Sequence, residues 1–224
     1  MKIAFIAPYK DGTGYSHAAI NYMLSLDTAG ATVVPRSAKM TRTYGEIPTR
    51  IKELEDNDLN NIDVLIQYSL PNQFEYKADV LNIGMFNYET DKLPLNDWIG
   101  HLQLVDRIFV SCNYDKKTVK ESVKNFIKIK DKVHCVPEAI NCDIPINLNN
   151  INVGFELPEY ITKFYTVSDY GQRKNITSML LAYFNAFTIS DPVVLILKIN
   201  MLGVNGQKAV RYISDNIVRI KNDM

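Results

Sequence analysis

Cysteine is scarce in this sequence. Cys112, Cys135 and Cys142 make an odd number in 224 residues, without the paired spacings that hold zinc. That excludes a disulfide scaffold and points to a reduced, cytoplasmic setting. No apolar run approaches the ~20 residues needed to cross a bilayer. The opening MKIAFIAPYK is too short in its apolar stretch for a signal peptide and reads as a first strand. An excess of one charge is missing too, since Lys+Arg and Asp+Glu are both 25. A protein that coats nucleic acid needs a basic face, so nucleic acid is not the expected partner. His17, His101 and His134 are scattered and form no metal or nucleophile pair, so neither a metal site nor Ser-His-Asp chemistry is expected. No glutamate follows Glu159.

What is present is the composition of a globular protein, 46% hydrophobic and 22% charged. The charge is unevenly spread: from Ile161 onward eight basic residues face four acidic ones, consistent with an anionic ligand or with a solvated surface. Short apolar runs are expected as strands at 2–8, 32–36, 62–68, 80–86, 107–111, 132–136, 163–167 and 193–198. Runs such as VDRIFVS and PVVLILK are continuous, as strands buried on both faces of a parallel sheet must be. Amphipathic stretches at 16–26, 94–104, 115–126, 175–187 and 206–221 are expected as helices. In the fourth, Ile176, Met179, Leu180, Tyr183, Ala186 and Phe187 share one face and read as core.

This alternation predicts an α/β protein with a Rossmann-like, doubly wound parallel sheet, followed by an incomplete second Rossmann-like unit. The stretch NCDIPINLNNINVGFELPEY has two prolines, many asparagines and no period, so it reads as a linker. The expected division is 1–140, a linker at 141–160, and 161–224.

Two loops stand out. In APYKDGTGYSHAAINYML, Gly12, Thr13 and Gly14 lie between a strand and a helix expected to begin near Ser16. Glycines there let backbone N–H groups approach a bound group, although a tight turn needs them equally. The spacing is G-x-G-x-x-H, and Arg36 stands where a ribose-binding acid would follow the second strand, which disfavours NAD and leaves NADP a poor alternative. In VSDYGQRKNITSMLLAYFNAF, Arg173 and Lys174 are expected in the first turn of a helix. Cations there oppose the helix dipole, so an anion bound beside them would explain their placement.

Four stretches together resemble the family-4 retaining glycosyltransferases of the GT-B fold. They are the glycine loop, FNYETDKLPLNDWIGHLQLVDRIFVSCNYDKKTV, KVHCVPEAIN, and the Arg-Lys stretch followed by DPVVLILK. The resemblance implies that residues 1–140 form the acceptor-side domain and 161–224 the beginning of a donor-side domain. Lys174, with Arg173, would bind the diphosphate of a nucleotide-sugar, taken as substrate and not as cofactor. Gly12, Thr13 and Gly14 would lie near the donor phosphates. Asn87 and Tyr88 would touch the acceptor, and Glu89 would hydrogen-bond its hydroxyl as the catalytic carboxylate. Trp98 reads as packing of a helix onto the sheet.

The sequence departs from that family in several places. Ser168 stands where a second cation is usual, Ala139 replaces a glycine and Asn141 an aspartate, and the paired donor-side glutamates are absent. A second chain or a homo-oligomer covering the residues after 160 would complete so short a unit. Sugar transfer from a nucleotide-sugar to an acceptor of unknown class is therefore one expectation. A non-catalytic nucleotide- or sugar-binding remnant is the other.

Overall fold

A computed structural model of the chain describes residues 1–41, 44–140, 157–201 and 204–222. It divides into two compact units, Met1–Pro145 and Ile146–Met224. The linker expected at 141–160 lies, for residues 141–156, outside the described residues.

The first unit is built on six strands: β1 (Lys2–Ala7), β2 (Thr32–Ser37), β3 (Val64–Tyr68), β4 (Leu81–Met85), β5 (Arg107–Val110) and β6 (Val133–Cys135). They form one sheet in the order β2-β1-β3-β4-β5-β6, with every pairing parallel. All five residues of β3 are buried, which is why VLIQY carries no polar alternation beyond one glutamine. That glutamine, Gln67, is satisfied in the interior by the backbone N–H and carbonyl of Glu75.

The helices are α1 (Gly14–Thr28), α2 (Thr49–Glu55), α3 (Leu95–Leu104), α4 (Asn113–Ser122) and α5 (Ile127–Lys130). In α1, Ala18, Ala19, Tyr22 and Met23 are buried on one stripe against the sheet. The chain from 115 to 126 was expected as one helix. Instead α4 stops at Ser122 and α5 follows after a turn, which lets Val119, Val123 and Ile129 all reach the core. Helix α2 had no sequence expectation, because seven residues with only Ile51 and Leu54 buried show no readable period.

One glycine is fixed by packing. A Cβ on Gly84, in the central strand β4, would sit 2.2 Å from Cε2 of Phe74. The Phe74 ring therefore packs directly against the Gly84 backbone.

The second unit comprises β7 (Thr162–Asp169), α6 (Ile176–Ala186), β8 (Val193–Asn200) and α7 (Gly206–Asn222). Strands β7 and β8 pair in parallel over eight residues each. Among the described residues only Ile176, Leu180 and Ala209 of this unit are buried hydrophobics. Phe164, Tyr183 and Phe187 cluster with ring centroids 5.2–6.3 Å apart, yet the α6 aromatics expected as core are only half-buried and line an open cleft of about 340 Å³. Tyr165 and Val167 remain 77% and 66% exposed.

Candidate functional site

In a sheet ordered 2-1-3-4-5-6, the chain leaves β1 toward one side and later crosses to β3 on the other. The loops at the carboxyl ends of β1 and β3 therefore diverge and open a crevice, where ligands bind in such folds. The residues gathered there are Tyr15, from the first turn of α1, Tyr68, which ends β3, and Asn87, which follows β4. Tyr15 and Tyr68 stack with centroids 4.8 Å apart, and Tyr22 meets Tyr68 edge-on at 5.9 Å. The Tyr15 hydroxyl lies 3.2 Å from both the N–H and the carbonyl of Asn87. The Asn87 side-chain amide donates to the Tyr68 hydroxyl at 3.0 Å and to Oε1 of Glu138 at 2.7 Å. Its amide oxygen is buried without a hydrogen-bond partner. A buried acceptor in that state favours any group that brings it a donor.

The electrostatics of this network follow from burial. Burial is the largest cause raising the Tyr68 phenol pKa, with Tyr15, Glu138 and Tyr22 adding to it. Burial also leads for Tyr22, with Glu138 behind it. For Tyr15 burial again comes first; the Asn87 backbone opposes it, and Glu89, Asp115 and Glu138 add to it. All three phenols therefore stay protonated as donors, and two exposed carboxylates, Glu89 and Glu138, act on the same Tyr15.

The glycine loop serves the fold before it serves a ligand. Gly12 adopts φ +64, and a Cβ there would lie 3.0 Å from Cα of Gly45, so two backbones touch. The Asp11 carboxylate accepts from the N–H groups of Met40 and Thr41, and Gly45 N–H donates to the Lys10 carbonyl. Thr13 is the N-cap of α1, and its hydroxyl and that of Ser16 satisfy each other's backbone in a capping box. The helix accordingly begins at Gly14, two residues before the expected start. Its orphan donors are partly satisfied from within.

The second loop behaves differently. Arg173 and Lys174 do not lie in the first turn of a helix. They occupy a short 3-10 turn, Gln172–Lys174, and Asn175 then takes φ 49 before α6 begins at Ile176. This left-handed residue breaks the helical path and separates the cations from the helix whose dipole would oppose them. No side chain caps α6, and no acid lies in its first turn. The start of α6 opens on a cleft of about 300 Å³ lined by Tyr170, Gly171, Gln172, Asn175, Ile176 and Thr177. Lys174 is exposed, and its ammonium makes no hydrogen bond or ion pair among the described residues.

The structure thus brings Asn87 and Glu89 to Tyr15, next to Gly14. It does not bring Tyr88 there: that ring meets Trp98 edge-on at 5.2 Å and its hydroxyl donates to the Lys92 carbonyl. Trp98 is buried and also contacts Phe86. Sequence reasoning passed over Tyr15, Tyr68 and Glu138. Tyr68 was hidden in an apolar run, and Glu138 in VPEAIN carried no spacing that singled it out. Among the described residues no group of three or more His, Cys, Asp or Glu is placed to hold a metal, and no helix is long and apolar enough to cross a membrane.

Neither a protein-family model nor a curated protein matches the chain. Among solved structures, the S. aureus MnaA-UDP co-structure is similar with a TM-score of 0.43 and 10% identity, over 97% of this chain. The chain spans 65% of the length of that protein.

Proposed function

We propose that the chain binds a nucleotide-sugar, whose diphosphate rests on the second unit, and transfers its sugar to an acceptor hydroxyl. The observation that carries this reading is the exposed Lys174, unpaired among the described residues, beside the uncapped start of α6. Backbone N–H groups at a helix start and a nearby ammonium together suit a diphosphate, whose charge grows as the bond to the sugar breaks. On the first unit, Glu89 and the Tyr15–Asn87 pair supply acceptors and donors for a sugar hydroxyl, with the buried Asn87 oxygen still lacking a donor. In the transfer itself the anomeric C–O bond to the diphosphate breaks and one to the acceptor oxygen forms with retention. The acceptor proton leaves toward a hydrogen-bonded base, a role for which Glu89 is proposed.

In a second reading the chain binds a nucleotide or sugar without transferring it. Thermal unfolding with UDP, GDP and their sugars tests the binding common to both readings. A ligand at 100 times its Kd raises stability by about 2.7 kcal/mol. Lys174→Ala is expected to abolish that rise while leaving the ligand-free midpoint unchanged, because the side chain is exposed. An unchanged rise in the variant overturns the assignment of the diphosphate. Release of nucleoside diphosphate in the presence of acceptor then separates transfer from binding.

A further inference from the structure

The chain has no excess charge overall, yet residues 116–132, KKTVKESVKNFIKIKDK, carry seven lysines against two carboxylates. Few of these lysines have partners among the described residues. Lys117 lies 3.9 Å from Glu121, and Lys132 donates to the carbonyls of Gln103 and Val105 at 3.1 and 2.6 Å. Lys124, Lys128 and Lys130 are exposed and make no ion pair or hydrogen bond among the described residues. Burial lowers the Lys132 pKa; Asp106 opposes this, while Arg107 and Lys128 reinforce it.

Apolar side chains sit among these charges. The turn from α4 into α5 exposes two consecutive large ones, Phe126 at 39% and Ile127 at 71%. A groove of about 550 Å³ lies beside them, lined by Gln103, Asn125, Phe126, Ile127, Lys128, Ile129 and Lys132. No carboxylate occurs between Glu121 and Asp131, so the exposed pair is flanked by lysine on both sides.

We propose that this turn docks the protein on an anionic lipid surface, with Phe126 and Ile127 entering the boundary of the acyl region and Lys124, Lys128 and Lys130 engaging lipid phosphates. Neither component alone would suffice. Clustered lysines are drawn to the negative potential of an acidic leaflet. An exposed isoleucine next to a phenylalanine has no use for phosphate, but it gains by leaving water for the interface. Nucleic acid would match the charge and leave Ile127 without a counterpart. The proposal concerns the first unit alone and does not depend on nucleotide binding by the second.

Flotation of the purified chain with phosphatidylcholine vesicles, with and without about one third phosphatidylglycerol, tests it. The expected result is partition onto the anionic vesicles only, weakened by added salt. Lys124→Glu with Lys128→Glu is expected to reduce partition at least about tenfold, and Ile127→Ser with Phe126→Ser to reduce it comparably. Emission from Trp98 in each variant reports whether the surrounding unit remains folded. Three outcomes overturn the proposal. One is equal behaviour on neutral and anionic vesicles. Another is full retention by the serine variant, which would make the surface purely ionic. The third is displacement from vesicles by a single-stranded RNA oligonucleotide that binds more tightly than the lipid.

Discussion

Gly12 and Gly84 show at single positions how backbone geometry fixes residue choice. Gly12 needs its left-handed conformation and its missing Cβ together, because Gly45 lies against it. Gly12→Ala is expected to destabilise the first unit by about 1–2 kcal/mol, measured by urea unfolding. Gly84→Ala pushes a methyl into the Phe74 ring and is expected to cost about 1–3 kcal/mol. Adding Phe74→Leu should recover part of that loss if the clash is its cause. In the candidate site, Tyr68→Phe removes the hydroxyl that accepts from Asn87 and is expected to cost about 1 kcal/mol. The two glycines of GTG invite a phosphate-loop reading from sequence, yet Gly45, thirty-three residues after Gly12, explains the first of them. No local pattern could have revealed that contact.

The contrast between α1 and α6 is the informative one at the level of elements. Both follow a parallel strand, but α1 is capped by Thr13 and Ser16 whereas α6 has no cap. Thr13→Ala is expected to lower stability by about 1 kcal/mol. Thr177→Asp has a less usual signature. A carboxylate in the first turn of α6 is expected to stabilise the helix by about 0.3–1 kcal/mol, while repelling any diphosphate held there. Ligand-free stability should rise and nucleotide-induced stabilisation should fall in the same variant. A joint rise of both would place the anion elsewhere. All eight described strands were legible from short apolar runs, several of them continuous. The break between α4 and α5 was not, because Val119, Val123 and Ile129 are compatible with either path and the tertiary core chooses between them.

For the molecule as a whole, burial is distributed very unequally. The first unit holds the described core except for Ile176, Leu180 and Ala209, so β7 and β8 should exchange their amide hydrogens well before β1 and β3 do. Mass-spectrometric exchange checks this directly. The alkaline response is dominated by buried tyrosines of the first unit. Burial, ahead of the Glu55 hydrogen bond, raises the Tyr9 phenol pKa, and burial leads for Tyr22 and Tyr68 as well. In the unfolded chain these groups ionise near pH ~10. The folded state binds their protons more tightly, so their contribution is complete below that pH and is lost as alkalinity increases beyond it. The thermal midpoint should therefore fall steeply above pH ~10, and less steeply in Tyr22→Phe. The class of fold was readable from strand rhythm alone. Of the crevice residues Asn87 was singled out from sequence, whereas Tyr15, Tyr68 and Glu138 were not, since they meet it only after four segments are assembled.

Because the six strands all run the same way, every turn that feeds a strand opens on the rim opposite the crevice. Ala78 and Asp79, exposed in the turn before β4, occupy that rim. A dye or surface tether attached through Ala78→Cys, with Cys112, Cys135 and Cys142 replaced by serine, would leave the tyrosine cluster unobstructed. Single-molecule or immobilised assays of ligand capture can be built from that side.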